Sequence, residues 1–116
     1  MSIHNVLASV AVKDLDAAVG WYERLLEQTP SRPMPGVAEW KFAGGGGLQV
    51  YLLLERSGAG SFTLAVDNLE EHVERLRALH IEGQVAGNER VKTLMITDPD
   101  GNHIAFAEAL DRQLAR

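Results

Sequence analysis

Val6, Ala8, Val10 and Val12 alternate with Leu7, Ser9 and Ala11, the period-two pattern of a strand with two unlike faces. Directly after it, Leu15, Ala18, Tyr22 and Leu25 recur at helical spacing with Glu and Arg between them. Asp14 stands where a cap for the first turn of that helix is needed. The same order returns in the second half. Phe62, Leu64 and Val66 alternate with Ser61, Thr63 and Ala65; Asp67 or Asn68 supplies the cap, and Leu69, Val73, Leu76 and Leu79 form the stripe of a second helix.

Each helix is followed by two further predicted strands joined through glycine. In the first half these are residues 37–42 and 48–54, around Gly44-Gly45-Gly46-Gly47. In the second they are residues 91–96 and 103–107, around Asp98-Pro99-Asp100-Gly101, where Pro fixes φ and Gly accepts positive φ. The four glycines do not make a phosphate loop, because no Lys-Ser/Thr follows and the next element is a strand. Residues 29–35 and 83–87 each predict one short extra strand, with Pro30, Pro33 and Pro35 confining the first to an edge. Ser57-Gly58-Ala59-Gly60 is the joint. The expectation is one α+β domain over residues 1–116, with module one at 1–57, module two at 58–110 and a short tail at 111–116.

Composition narrows the chemistry. With 116 residues and 46% hydrophobic content the chain can bury one core. No apolar run approaches the roughly 20 residues of a membrane-spanning helix, and the N-terminus lacks the order of a secretion signal, so a cytoplasmic location is expected. The absence of cysteine removes disulfides, thiolate zinc sites and a cysteine nucleophile. A net charge of −5 argues against nonspecific nucleic-acid binding and is compatible with a cationic ligand.

A duplicated strand-helix-strands unit, with Val-Lys-Asp-Leu-Asp-Ala-Ala-Val-Gly-Trp-Tyr in its first copy and Asp-Pro-Asp-Gly-Asn-His-Ile closing its second, resembles the vicinal oxygen chelate superfamily. That superfamily includes glyoxalase I, extradiol dioxygenases, fosfomycin-resistance enzymes and bleomycin-resistance proteins. The resemblance implies two βαβββ modules forming curved mixed sheets around a cleft, with the helices outside. It also implies four positions at which metal-dependent members carry His or Glu. In this chain they fall on Leu7, Ser61, Ala105, and either Gln49 or Tyr51, with analogy to the second module favouring Tyr51. A divalent metal needs about three ligands with available lone pairs. Leu7 and Ala105 have none to offer, and a shift of one residue meets only apolar neighbours. No metal and no other cofactor is expected.

The ligand-binding candidates on the cleft are Leu7, Ser9, Trp40, Gln49, Tyr51, Ser61, Thr63, His103 and Ala105. Trp40 and Tyr51 supply aromatic contact, and Ser9, Gln49, Ser61 and Thr63 supply hydrogen bonds. Glu39, Lys41 and Glu55 are charged candidates at the edge. His103 is the one candidate acid or base, near the rim. His72 and His80 read as part of a solvated helix face. The resulting expectation is a metal-free protein that binds a small organic molecule, an antibiotic or aromatic metabolite, as a homodimer of the bleomycin-resistance type. The alternatives are a metal-dependent lyase, isomerase or dioxygenase of the same superfamily, and a regulatory or structural dimer without a ligand.

Overall fold

A computed structural model describes residues 2–110; the expected tail at 111–116 lies outside them. The described chain runs β1 (Leu7–Val12), α1 (Leu15–Leu26), β2 (Ser31–Met34), β3 (Val37–Lys41), β4 (Gly47–Leu52), β5 (Ser61–Ala65), α2 (Leu69–Ala78), β6 (Gln84–Gly87), β7 (Val91–Thr97) and β8 (His103–Ala109). These elements form two four-stranded mixed sheets, ordered β1-β4-β3-β2 and β5-β8-β7-β6. Each is the βαβββ unit that the repeat predicts. No helix among the described residues is long and apolar enough to cross a membrane.

The chain divides into two compact units. The first contains the residues up to Gly60 together with Pro99–Asn102; the second contains Ser61–Asp98 and the residues from His103 onward. The turn between β7 and β8 therefore belongs with the first unit, a boundary that sequence order does not suggest.

In the first unit β1 runs parallel to β4, and β3 is antiparallel to both β4 and β2. Val10, Val12, Leu48, Val50, Ala38 and Trp40 share the sheet face covered by α1 and are all buried. From α1 this core receives Leu15, Ala18, Val19, Tyr22 and Leu25, the predicted stripe with one addition. Asp14 caps the helix by accepting from the Ala17 N–H at 3.1 Å. At its other end Glu27 takes the left-handed conformation, φ 55°, and its N–H closes on the Glu23 carbonyl. Val6 stays outside the core at 76% exposure because β1 begins one residue later.

The second unit repeats this plan. Phe62, Ile104, Phe106, Leu94 and Ile96 are buried beneath α2, which contributes Leu69 and Leu76. Of the two candidate caps, Asn68 is the one used, accepting from the Glu71 N–H at 3.3 Å. Glu108 on β8 accepts from the Leu69 N–H at 2.9 Å. Two of the donors that every helix start leaves unpaired are thereby satisfied, and a carboxylate sits at the positive end of the helix dipole. His72 corrects the expectation of a solvated face: it is half-buried, its ring centroid 5.2 Å from that of Phe106.

The joint is fixed by one side chain of the first unit. Asn102 is fully buried. Its amide donates to the Ala11 carbonyl at 2.9 Å, and its Oδ1 accepts from the Gly60 N–H at 2.8 Å. Gly58, at φ +83°, donates to the same Ala11 carbonyl at 3.4 Å and leaves no room for a Cβ against the Asp100 carbonyl.

Asn102→Ala removes the partner of the Gly60 N–H and leaves the Ala11 carbonyl with the longer bond from Gly58, and denaturant unfolding should show a loss of about 1–3 kcal/mol. Gly58→Ala should cost about 1–3 kcal/mol through its left-handed backbone. Gly44→Ala, where a Cβ meets nothing within 4 Å, should stay within about 0.5 kcal/mol of wild type.

Candidate functional site

Each sheet has one face covered by its helix and one open face, and strand register assigns side chains to them. On the open face of the first sheet, Leu7, Gly47 and Lys41 form one rung, and Ser9, Gln49, Glu39 and Ser31 the next. Ala11, Tyr51, Val37 and Met34 form the third. On that of the second sheet the rungs are Ser61, His103 and Thr97; then Thr63, Ala105, Met95 and Gln84; then Ala65, Ala107, Thr93 and Ala86.

The middle rung of the first sheet is a directed hydrogen-bond row. Ser9 Oγ donates to Gln49 Oε1 at 3.3 Å, and Gln49 Nε2 donates to Glu39 Oε1 at 2.9 Å. Each donor fixes the group that follows it, so the Gln49 amide and the Glu39 carboxylate are held in one orientation on an otherwise accessible sheet surface. Gln49, Glu39 and Tyr51 are half-buried, while Ser9 and Lys41 are exposed. Leu7 is 39% exposed, which leaves apolar surface beside the polar row. Among the described residues on the strands, Glu39 and Lys41 are the formal charges of the two open faces.

Of the nine sequence candidates, eight lie on an open face. The first sheet carries Leu7, Ser9, Gln49 and Tyr51; the second carries Ser61, Thr63, His103 and Ala105. Trp40 does not join them, which corrects the expectation of a cleft aromatic. It is fully buried under α1, its Nε1 donates to the Gln28 carbonyl at 2.7 Å, and its ring lies 5.8 Å from that of Tyr22. The cause is alternation: Ala38 and Trp40 share one parity, so their neighbours Glu39 and Lys41 take the open face. Glu55 sits in the single-turn helix Leu54–Arg56, off the sheet. His103 is directly across from Ser61 in the register and exposed, with no described hydrogen bond to orient its ring. A base poised to activate the Ser61 hydroxyl would need such a bond. The row through Glu39 is the feature that sequence reasoning missed. Its signal was the polar residue at the same parity on three strands, which has meaning only once register is known.

A family model described as the Glyoxalase/Bleomycin resistance protein/Dioxygenase superfamily matches residues 2–106. The chain belongs to this superfamily. Among similar solved structures is a glyoxalase/bleomycin resistance protein from Catenulispora acidiphila. It is 31% identical, with 92% of this chain and 99% of that chain covered and a TM-score of 0.82. TnmS3, an antibiotic binding protein from a Streptomyces species, is 22% identical, with 94% and 98% covered and a TM-score of 0.80. A lactoylglutathione lyase from Agrobacterium tumefaciens is also 22% identical, with 93% and 94% covered and a TM-score of 0.76. The last two likenesses are of fold. No curated protein matches the sequence.

For a glyoxalase-superfamily chain the metal question falls on Leu7, Gln49 or Tyr51, Ser61 and Ala105. All stand on open faces, and they do not fit a divalent metal: a hydrocarbon, a methyl group, a neutral hydroxyl, and an amide or phenol offer no imidazole or carboxylate. Among the described residues no three His, Asp or Glu side chains gather to replace them.

The two aromatics separate core from surface. Trp40→Phe, which removes a buried hydrogen bond and part of the packing, should lower the unfolding free energy by about 1–3 kcal/mol. Tyr51→Leu should change it by less than about 0.5 kcal/mol. Urea titrations followed by circular dichroism check both.

Proposed function

We propose that this glyoxalase-superfamily protein binds a small organic molecule against an open sheet face, without a catalytic metal, and works as a cytoplasmic homodimer. The observation that carries the reading is the side-chain set of the open faces. They present Leu7, Tyr51 and Met95 as apolar and aromatic contact area, interrupted by the Ser9–Gln49–Glu39 row and by the hydroxyls of Ser61 and Thr63. Such a mixture of broad apolar contact with a few fixed polar groups is how proteins recognise small organic ligands. Leu7, Ser61, and Gln49 or Tyr51 of that set, together with Ala105, are the positions that the family resemblance assigns to metal ligands. The fold likeness to an antibiotic binding protein supports the same reading. A partner would also cover Ile3 and Val6, large apolar residues that are 73% and 76% exposed.

Elemental analysis after incubation with nickel, zinc, manganese and ferrous iron, followed by removal of the excess, should find almost no bound metal. About one ion per chain would instead support the lyases, isomerases and dioxygenases of the superfamily. A thermal-shift screen of aromatic small molecules should return stabilising compounds whose effect is lost in Tyr51→Ala; a screen with none would favour a structural dimer. Light scattering should give the mass of two chains, and a monomer would overturn the homodimer.

A further inference from the structure

We propose that Glu39 is the group with which the open face of the first sheet recognises an organic cation, an ammonium or amidinium carried on an apolar body. The inference rests on the binding reading above and adds the charge class of the ligand.

The row is built so that a carboxylate is its last member. Ser9 Oγ donates to Gln49 Oε1, and Gln49 Nε2 donates to Glu39 Oε1. A neutral amide orients a carboxylate but leaves its charge in place, and it engages one of the two oxygens. Among the described residues Glu39 forms no ion pair, and its backbone carbonyl, not its carboxylate, takes the Ser31 hydroxyl at 3.4 Å. An oriented, half-buried carboxylate without a cation is a receptor for a charge-assisted donor.

The surroundings say what kind of molecule carries that donor. Val37 and Tyr51 occupy the rung on one side of Glu39. Diagonal neighbours on adjacent strands are within reach of long and aromatic side chains. An apolar body lying over Tyr51 and Val37 therefore brings its cationic end to Glu39, and the face of the phenol ring itself favours a cation. Lys41 lies on the opposite rung with Leu7 and Gly47. It is exposed, and among the described residues it forms no ion pair with Glu39, two residues along the strand. The second sheet's open face carries no Asp, Glu, Lys or Arg on its described strands, so charge selection falls to the first.

The test is a titration of isotope-labelled protein with three probes of similar shape, benzamidinium, benzyl alcohol and benzoate, followed by nuclear magnetic resonance. Benzamidinium should move the side-chain amide signal of Gln49 and bind more tightly than benzyl alcohol, and benzoate should bind least. Glu39→Gln keeps an acceptor for Gln49 and removes the charge. It should weaken benzamidinium at least about tenfold, the scale of a lost charge-assisted hydrogen bond, and leave benzyl alcohol unchanged. In the unaltered protein, added salt should weaken benzamidinium alone. Equal binding of benzamidinium by both proteins, or a preference for benzoate, would overturn the cation proposal while benzyl alcohol still reports a binding surface. Failure of all three probes to shift any open-face signal would overturn the binding reading itself.

Discussion

The amide of Asn102 is the constraint on which the first unit depends. A β-strand edge and a glycine-bearing joint both present backbone groups that must find partners when buried. Asn102 satisfies both kinds at once, with a donor for the Ala11 carbonyl and an acceptor for the Gly60 N–H. Because those two groups lie on β1 and on the segment leading out of the unit, one planar amide sets where the chain may leave the sheet. Gly58 and Gly60 follow from it. At Gly60 a Cβ would lie 2.9 Å from Val10 Cγ1 and 3.2 Å from Asn102 Oδ1, too close for the bond that holds the joint.

With β1 fixed, the parallel pairing of β1 with β4 places Ser9 opposite Gln49, and the antiparallel pairing of β3 with β4 places Glu39 opposite Gln49. A slip of one residue between β1 and β4 would turn Val10 and Val12 to the open face, and one between β3 and β4 would expose Trp40 and bury the Glu39 carboxylate. Burial of the apolar set thus selects the register, and the register creates the polar row. The polar row is a by-product of the core, held in place by the same free energy that holds the fold.

Much of this was legible from the chain. Period-two and helical patterns located every long element, and the repeat gave the two βαβββ units, since those signals are local and depend on spacing alone. Caps were legible to within a residue, because Asp67 and Asn68 both carry the needed oxygen and only the helix's starting angle chooses between them. Trp40 was misplaced by giving an aromatic side chain more weight than its strand parity. His72 was misplaced because its charged neighbours on α2 suggested solvent, whereas its ring spans the boundary of the stripe and reaches Phe106.

The sequence by itself determined the donor chemistry: the side chains of Leu7 and Ala105 carry no lone pair in any conformation, and the absence of cysteine holds regardless of fold. It also determined the alternation that makes one face of each sheet apolar and the other mixed. Tertiary structure alone decided that Ser9, Gln49 and Glu39 meet, that Trp40 hydrogen-bonds to the Gln28 carbonyl inside the core, and that Asn102 packs with β1, which lies 91 residues away from it in the chain. The physical reason is range. Side-chain identity and local period are properties of neighbouring residues, whereas register and long-range hydrogen bonds arise only when distant segments bury their apolar faces together.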